Sequence, residues 1–103
     1  MYNYVNLIGT VKDIKEQFIV NQKVVHITLA CQRPFREPDG KFMVDEFDVS
    51  VYEYLAEVAQ ENLKKGSKIS VKGRLLPSNY KTLCKIVAER IIFMDNEKEN
   101  KED

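Results

Sequence analysis

Apolar and polar residues alternate along most of the chain with a period of two, and the alternation gives way once to helical spacing. Val24 to Arg33 shows it best, with Val25, Ile27, Leu29 and Cys31 on one face and His26, Thr28, Ala30 and Gln32 on the other, as a half-buried strand requires. Val5 to Val11 predicts an earlier strand, interrupted at Gly9, where a bulge or sharp coil is expected. Polar residues 12–17 separate it from a second β-rich run that opens at Phe18 and holds a turn at Asn21-Gln22. Pro38-Asp39-Gly40 predicts a turn, because proline presets φ and glycine accepts a positive one. From Asp45 to Tyr52 the alternation puts Phe47, Val49 and Val51 on one face and Tyr52 on the other, with Asp48 and Ser50. Leu55, Val58, Ala59 and Leu63 then fall on one helical stripe, and Gly66 after Lys64-Lys65 supplies the stop. Ile69, Val71, Gly73 and Leu75 alternate with Lys68, Ser70, Lys72 and Arg74; after a Pro77-Ser78-Asn79 turn, Leu83 to Met94 is the last strand.

The order is therefore β-β-β-α-β-β. From pattern alone the best match is an all-β, five-stranded OB-type barrel with one helix between strands 3 and 4; an SH3-like barrel or a small α+β roll are the alternatives. Closure also removes the unpaired edges of so short a sheet. With 103 residues there is room for one domain, residues 1–94, followed by a polar stretch, 95–103, expected to be disordered. The overall charge of zero is divided unevenly: the last nine residues carry five acids and two lysines, leaving +3 on residues 1–94. A mildly basic body is weak support for a polyanionic partner. No run spans a bilayer and the N-terminus lacks a basic signal region, so the cytoplasm is the expected location.

Candidate chemistry is sparse. Cys31 and Cys84 lie in apolar segments and read as small buried hydrophobes; with His26 alone they cannot make a four-ligand zinc site. No nucleophile–base pair or phosphate-cradling glycine loop occurs, and Asp45, Glu46 and Asp48 read as a solvated strand entrance. No enzymatic activity, metal or cofactor is expected. Phe18, Phe42 and Phe93 are expected to pack in or near the core.

Local strings add a resemblance. Leu7-Ile8-Gly9, Ile27-Thr28-Leu29-Ala30 with Arg33-Pro34-Phe35-Arg36, and above all residues 55–67 continuing into Val71-Lys72-Gly73-Arg74-Leu75 resemble bacterial single-stranded DNA-binding proteins, over roughly residues 4–94. The resemblance implies an OB-fold that assembles as a homotetramer, or as a dimer, and wraps single-stranded DNA. Its stacking aromatics match Phe35, Tyr52 and Tyr80. Arg33 and Arg36 flank Phe35, Lys81 follows Tyr80, and Lys68, Lys72 and Arg74 share a face, so these cations are expected along the phosphates. Such a protein protects exposed strands in replication, recombination or repair, in the nucleoid, and meets other proteins of those processes. A primosome-type or recombination accessory protein acting through protein contacts is the alternative.

The chain departs from that pattern at three places. One residue is missing between Phe47 and the helix, so Phe47 is a candidate for stacking only if a bulge restores its face, and otherwise belongs to the core. The turn from Pro77 to Thr82 is short for a DNA-reaching arm. If the sequence is complete, its acidic end lacks the apolar anchor that recruits partners in the family. Tyr2 and Tyr4 precede a strand that pairs between subunits in these proteins and are expected at a subunit contact.

Overall fold

The alternating strands close on themselves. The structure, a computed structural model, describes residues 2–77 and 84–94. It contains β1 (Val5–Ile19), β2 (Gln22–Arg36), β3 (Phe42–Tyr52), α1 (Glu53–Asn62), β4 (Lys68–Pro77) and β5 (Cys84–Phe93). The barrel order is β1-β2-β3-β5-β4. All pairings are antiparallel except β3 with β5, which meet in parallel at Val49–Ile86 and Ser50–Val87. β1 closes the barrel by changing neighbours: Val5 to Thr10 pair with β4, and Thr10 onward with β2.

Inward residues of every strand fill the barrel. Val11, Val25, Ile27, Leu29, Val49, Val51, Ile69 and Val71 are at most 1% exposed, and burial of each such side chain stabilises the fold by about 1.5–3 kcal/mol. Ala56 and Ala59 of α1 and Leu63 just past its end join this core, with Leu55 packed against it. Small alanines let the helix axis approach, which is why the buried stripe runs through Ala56 rather than the half-buried Val58.

Several expectations need correction. Residues 12–17 do not end a strand: β1 runs through them to Ile19. Past Lys12, where the register shifts, β1 pairs only with β2; Ile14 still packs against the core, but Lys15 to Ile19 are exposed on both faces, so the two-residue signal fades. The turn is Val20-Asn21, not Asn21-Gln22; both residues have positive φ (49° and 63°), as a two-residue primed hairpin turn demands. Gly9 is not a bulge. It is a point of close strand approach, where a Cβ would lie 2.3 Å from the Ala30 carbonyl oxygen. Gly66 does not cap the helix, which ends at Asn62 with Leu63 extended. It lies instead in the turn closed by Ser67 N–H to Lys64 C=O at 3.0 Å, at φ 94°.

Phe18 (65% exposed) and Phe42 lie on the surface; only Phe93 packs against the core. Both misplaced rings sit next to hairpin tips that project past the barrel, where an apolar residue has no interior to enter. For the same reason Leu75, beyond the barrel end of β4, is exposed. Cys84 is exposed and Cys31 half-buried. The expected Pro77-Ser78-Asn79 turn falls largely, and the tail 95–103 wholly, outside the described residues. Among the described residues no helix is long and apolar enough to cross a membrane.

Candidate nucleic-acid interface

The inward set fixes what the other half of each strand presents. His26 and Thr28 alternate with buried Ile27 and Leu29, so they face outward. The pairings then align Lys15, His26, Ser50, Val87 and Arg74 in one row across all five strands on the outer side of the barrel; Lys15 and Arg74 are exposed at its ends, while Ser50 and Val87, each 6% exposed, are covered between them. His26 is held in its middle: Nε2 meets Gln17 Oε1 at 2.9 Å and Nδ1 meets the Ser50 hydroxyl at 3.3 Å. Because the glutamine oxygen only accepts, Nε2 carries a proton, and in the neutral ring Ser50 then donates to Nδ1.

Two grooves open along this row. One, of about 320 Å³, is lined by Lys15, His26, Thr28 and Asp48, with the Thr28 hydroxyl donating to Asp48 at 3.1 Å. The other, of about 330 Å³, is lined by Gln22, Tyr52, Glu53, Arg74, Leu76, Val87 and Ala88. Tyr52, at the end of β3, and Arg74, on β4, were far apart in sequence; the parallel β3–β5 contact brings them to one groove. Arg74 also pairs with Glu89 at 2.7 Å. Lys72 stands in register between Asn6 and Arg90 and makes no ion pair among the described residues. Lys68 is exposed at the far end of β4, level with Thr10.

The remaining candidates form a second cluster. Past Ala30, β2 and β3 continue as a two-stranded arm without β1. Phe35 is exposed there. Arg36 lies over the Phe42 ring at 4.8 Å and donates to the Gly40 carbonyl at 3.1 Å, which makes Phe42 an aromatic–cation station that the sequence pattern assigned to the core. The available signal was its place beside Lys41 and just after the Pro38-Asp39-Gly40 turn. Arg33 forks onto Asp45 with two 3.0 Å bonds, and this pairing holds the Asp45 carboxyl below its ordinary range. Burial, and secondarily Asp45, push the Cys31 thiol up, making it a poor nucleophile. Lys15 and His26 were not singled out for the site either, although the alternation already placed His26 outward.

Phe47 is set apart from the outward row. The β2–β3 register is unbroken from Val24–Tyr52 to Gln32–Val44, so no bulge intervenes. Phe47 pairs with fully buried Leu29 and lies half-buried on the inward side. Tyr80 and Lys81 lie outside the described residues.

A closed five-stranded barrel with its single helix between β3 and β4 is an OB-fold. The chain belongs to the Single-strand binding protein family, whose profile matches residues 2–93; the proteins of this family are non-catalytic. It is 35% identical over 89 residues to single-stranded DNA-binding protein 2 of Chlorobaculum tepidum, covering 78% of this chain and 60% of that one. It is 28% identical over 104 residues to single-stranded DNA-binding protein B of Bacillus subtilis, covering 92% of each. The chain thus spans three-fifths of the first relative and nearly all of the second. The Plasmodium falciparum SSB, solved in complex with ssDNA, shares the fold with a TM-score of 0.76 at 23% identity, over 92% of this chain and 96% of that one.

Proposed function

We propose that this chain binds single-stranded DNA without reading its sequence and without chemistry, and protects it while other proteins work. The observation that carries the reading is the pair of grooves along the row from Lys15 to Arg74, one beside Lys15 and His26 and the other shared by Tyr52 and Arg74, with the covered Ser50 and Val87 between them. Every base has a π-face, so stacking on Tyr52, Phe35 and Phe42 gives sequence-tolerant affinity of about 1–3 kcal/mol per base. Arg36 and Lys72 neutralise phosphates and add a salt-dependent part, joined by Arg74, whose single bond to Glu89 engages only one arm of its guanidinium. Tyr80 and Lys81 belong to the same reading, and Lys68 extends the path along β4. Phe47 enters it only through the edge that it leaves exposed.

The chain acts as a homo-oligomer, a tetramer or a dimer. Residues Val5 to Gly9 pair with β4 on one side only, which leaves an edge for a second copy. Ile8, Ile92 and Met94 are exposed on the outer side of the adjoining strands. Replication, recombination and repair in the bacterial nucleoid are the processes that expose such DNA.

Fluorescence anisotropy of a labelled oligo-dT tests the reading against a matching duplex at two salt concentrations. Tight, salt-sensitive binding to the single strand, with little to the duplex, is expected. Absence of binding at low salt refutes it in favour of an accessory protein that works through protein contacts.

A further inference from the structure

We propose that the N-terminal tyrosines, Tyr2 and Tyr4, are further base-stacking positions of this surface, held in place by Asn3. The proposal rests on the single-stranded DNA reading and extends its path past β4 to the start of the chain.

Chain ends fray unless tied down, and this one is tied. The Asn3 carboxamide donates from Nδ2 to the Leu75 carbonyl at 2.6 Å and accepts the Leu75 N–H on Oδ1 at 2.8 Å. One side chain thereby satisfies both backbone groups of Leu75 and prolongs the β1–β4 ladder beyond its last rung, Val5–Gly73.

Register then places the rings. Val5 and Leu7 are the half-buried inward residues of β1, so Tyr4 falls with Asn6 and Ile8 on the outward side. Because Asn6 pairs with Lys72 and Val5 with Gly73, the neighbour of Tyr4 across β4 is Arg74. Arg74 and Leu76 line the Tyr52 groove. Tyr4 is thus one strand beyond the groove on the same side, with Lys72 and Arg74 beside it. Tyr4 is 63% exposed and Tyr2 99%. Rings interleaved with cations along a groove are the pattern that tracks a single strand, each base stacking while its phosphate is neutralised.

The test is affinity against oligo-dT length for the full chain, from a few nucleotides to a few tens, with mass measured in parallel. The double variant Tyr2→Ala/Tyr4→Ala is expected to bind the shortest oligonucleotides like the wild type and the long ones more weakly by about thirtyfold or more, about five- to a hundredfold for each ring removed. Tyr4→Phe should keep wild-type affinity, because stacking does not use the hydroxyl. Asn3→Ala, which removes no ring, should show the same length-selective loss in weaker form. Wild-type affinity of the double variant at every length overturns the proposal. A loss of mass with unchanged affinity per subunit overturns it too, and assigns the tyrosines to a subunit contact. A wild-type chain that binds no oligonucleotide refutes the underlying reading, and this proposal with it.

Discussion

Arg33 grips Asp45 through both arms of its guanidinium, Nε to Oδ2 and Nη2 to Oδ1, each at 3.0 Å. The pair sits half-exposed at the root of the β2–β3 arm. Asp45 already fills the fork that would otherwise take a phosphate, so on the proposed function Arg33 should contribute less to DNA binding than its place beside Phe35 implies.

Asp45→Asn should therefore tighten binding to oligo-dT several-fold and steepen the dependence of log K on log salt by up to about 0.7, the value for one more phosphate on a single strand. Arg33→Gln should leave the wild-type slope nearly unchanged. Arg33 lowers the Asp45 carboxyl. A depressed folded value means that the pair's contribution is present above the unfolded Asp value of about 3.9 and is lost as pH falls through the folded one. The effect of Asp45→Asn should accordingly be the same at pH 8 and at pH 5.5, which salt titrations at both values check.

Phe35→Ala and Phe42→Ala should each weaken oligo-dT binding by about 1–3 kcal/mol with little change in melting temperature, since both rings are exposed on the arm. Tyr52→Ala should lower affinity similarly and also lower the melting temperature, because Tyr52 is half-buried against Val24. A large stability loss for Phe42→Ala would return that residue to the core.

Gly73→Ala tests the barrel itself. Its Cβ would lie 2.0 Å from the Val87 carbonyl oxygen, and the neighbour is backbone that cannot swing away. Forcing β4 and β5 apart should cost about 1–3 kcal/mol, read as a lower urea midpoint. Gly9→Ala should behave alike, for the Ala30 carbonyl lies 2.3 Å from its added methyl.

Val20→Asn should do the opposite. Val20 is a β-branched residue at φ 49° in a turn that favours asparagine and glycine. Left-handed backbone costs a non-glycine residue about 1–3 kcal/mol, part of which asparagine recovers. The melting temperature should rise by several degrees, which thermal denaturation without DNA checks.

What the sequence showed and what it hid follow from one physical distinction. Where a strand has a dry side and a wet side, as Val25, Ile27 and Leu29 do against His26 and Thr28, the alternation gave the strand, its inward set and the order of elements. Where strands run past the barrel, both sides are wet and the pattern loses meaning. Lys15 to Ile19 lie in such a stretch, so the pattern places a break within residues 12–17 and puts Phe18 and Phe42 in the core. The candidate surface was legible only as residue types, Tyr52, Arg74, Phe35 and Arg36 among them. Its geometry was not, because the Tyr52–Arg74 groove depends on a parallel β3–β5 contact that no local pattern encodes, and the Arg33–Asp45 and Arg74–Glu89 pairs depend on register. Phe47 shows the useful converse: its odd spacing from Tyr52 already implied an inward side chain, and the unbroken β2–β3 register places it there.

The central claim is that the outward row is the DNA path, and amide chemical-shift mapping on addition of oligo-dT tests it most directly. The account predicts perturbations at Lys15, His26, Ser50, Tyr52, Val87 and Arg74 and along the β2–β3 arm, with Ile27, Val49 and Ile69 little changed. Perturbations that leave this row untouched and fall elsewhere on the barrel would contradict it.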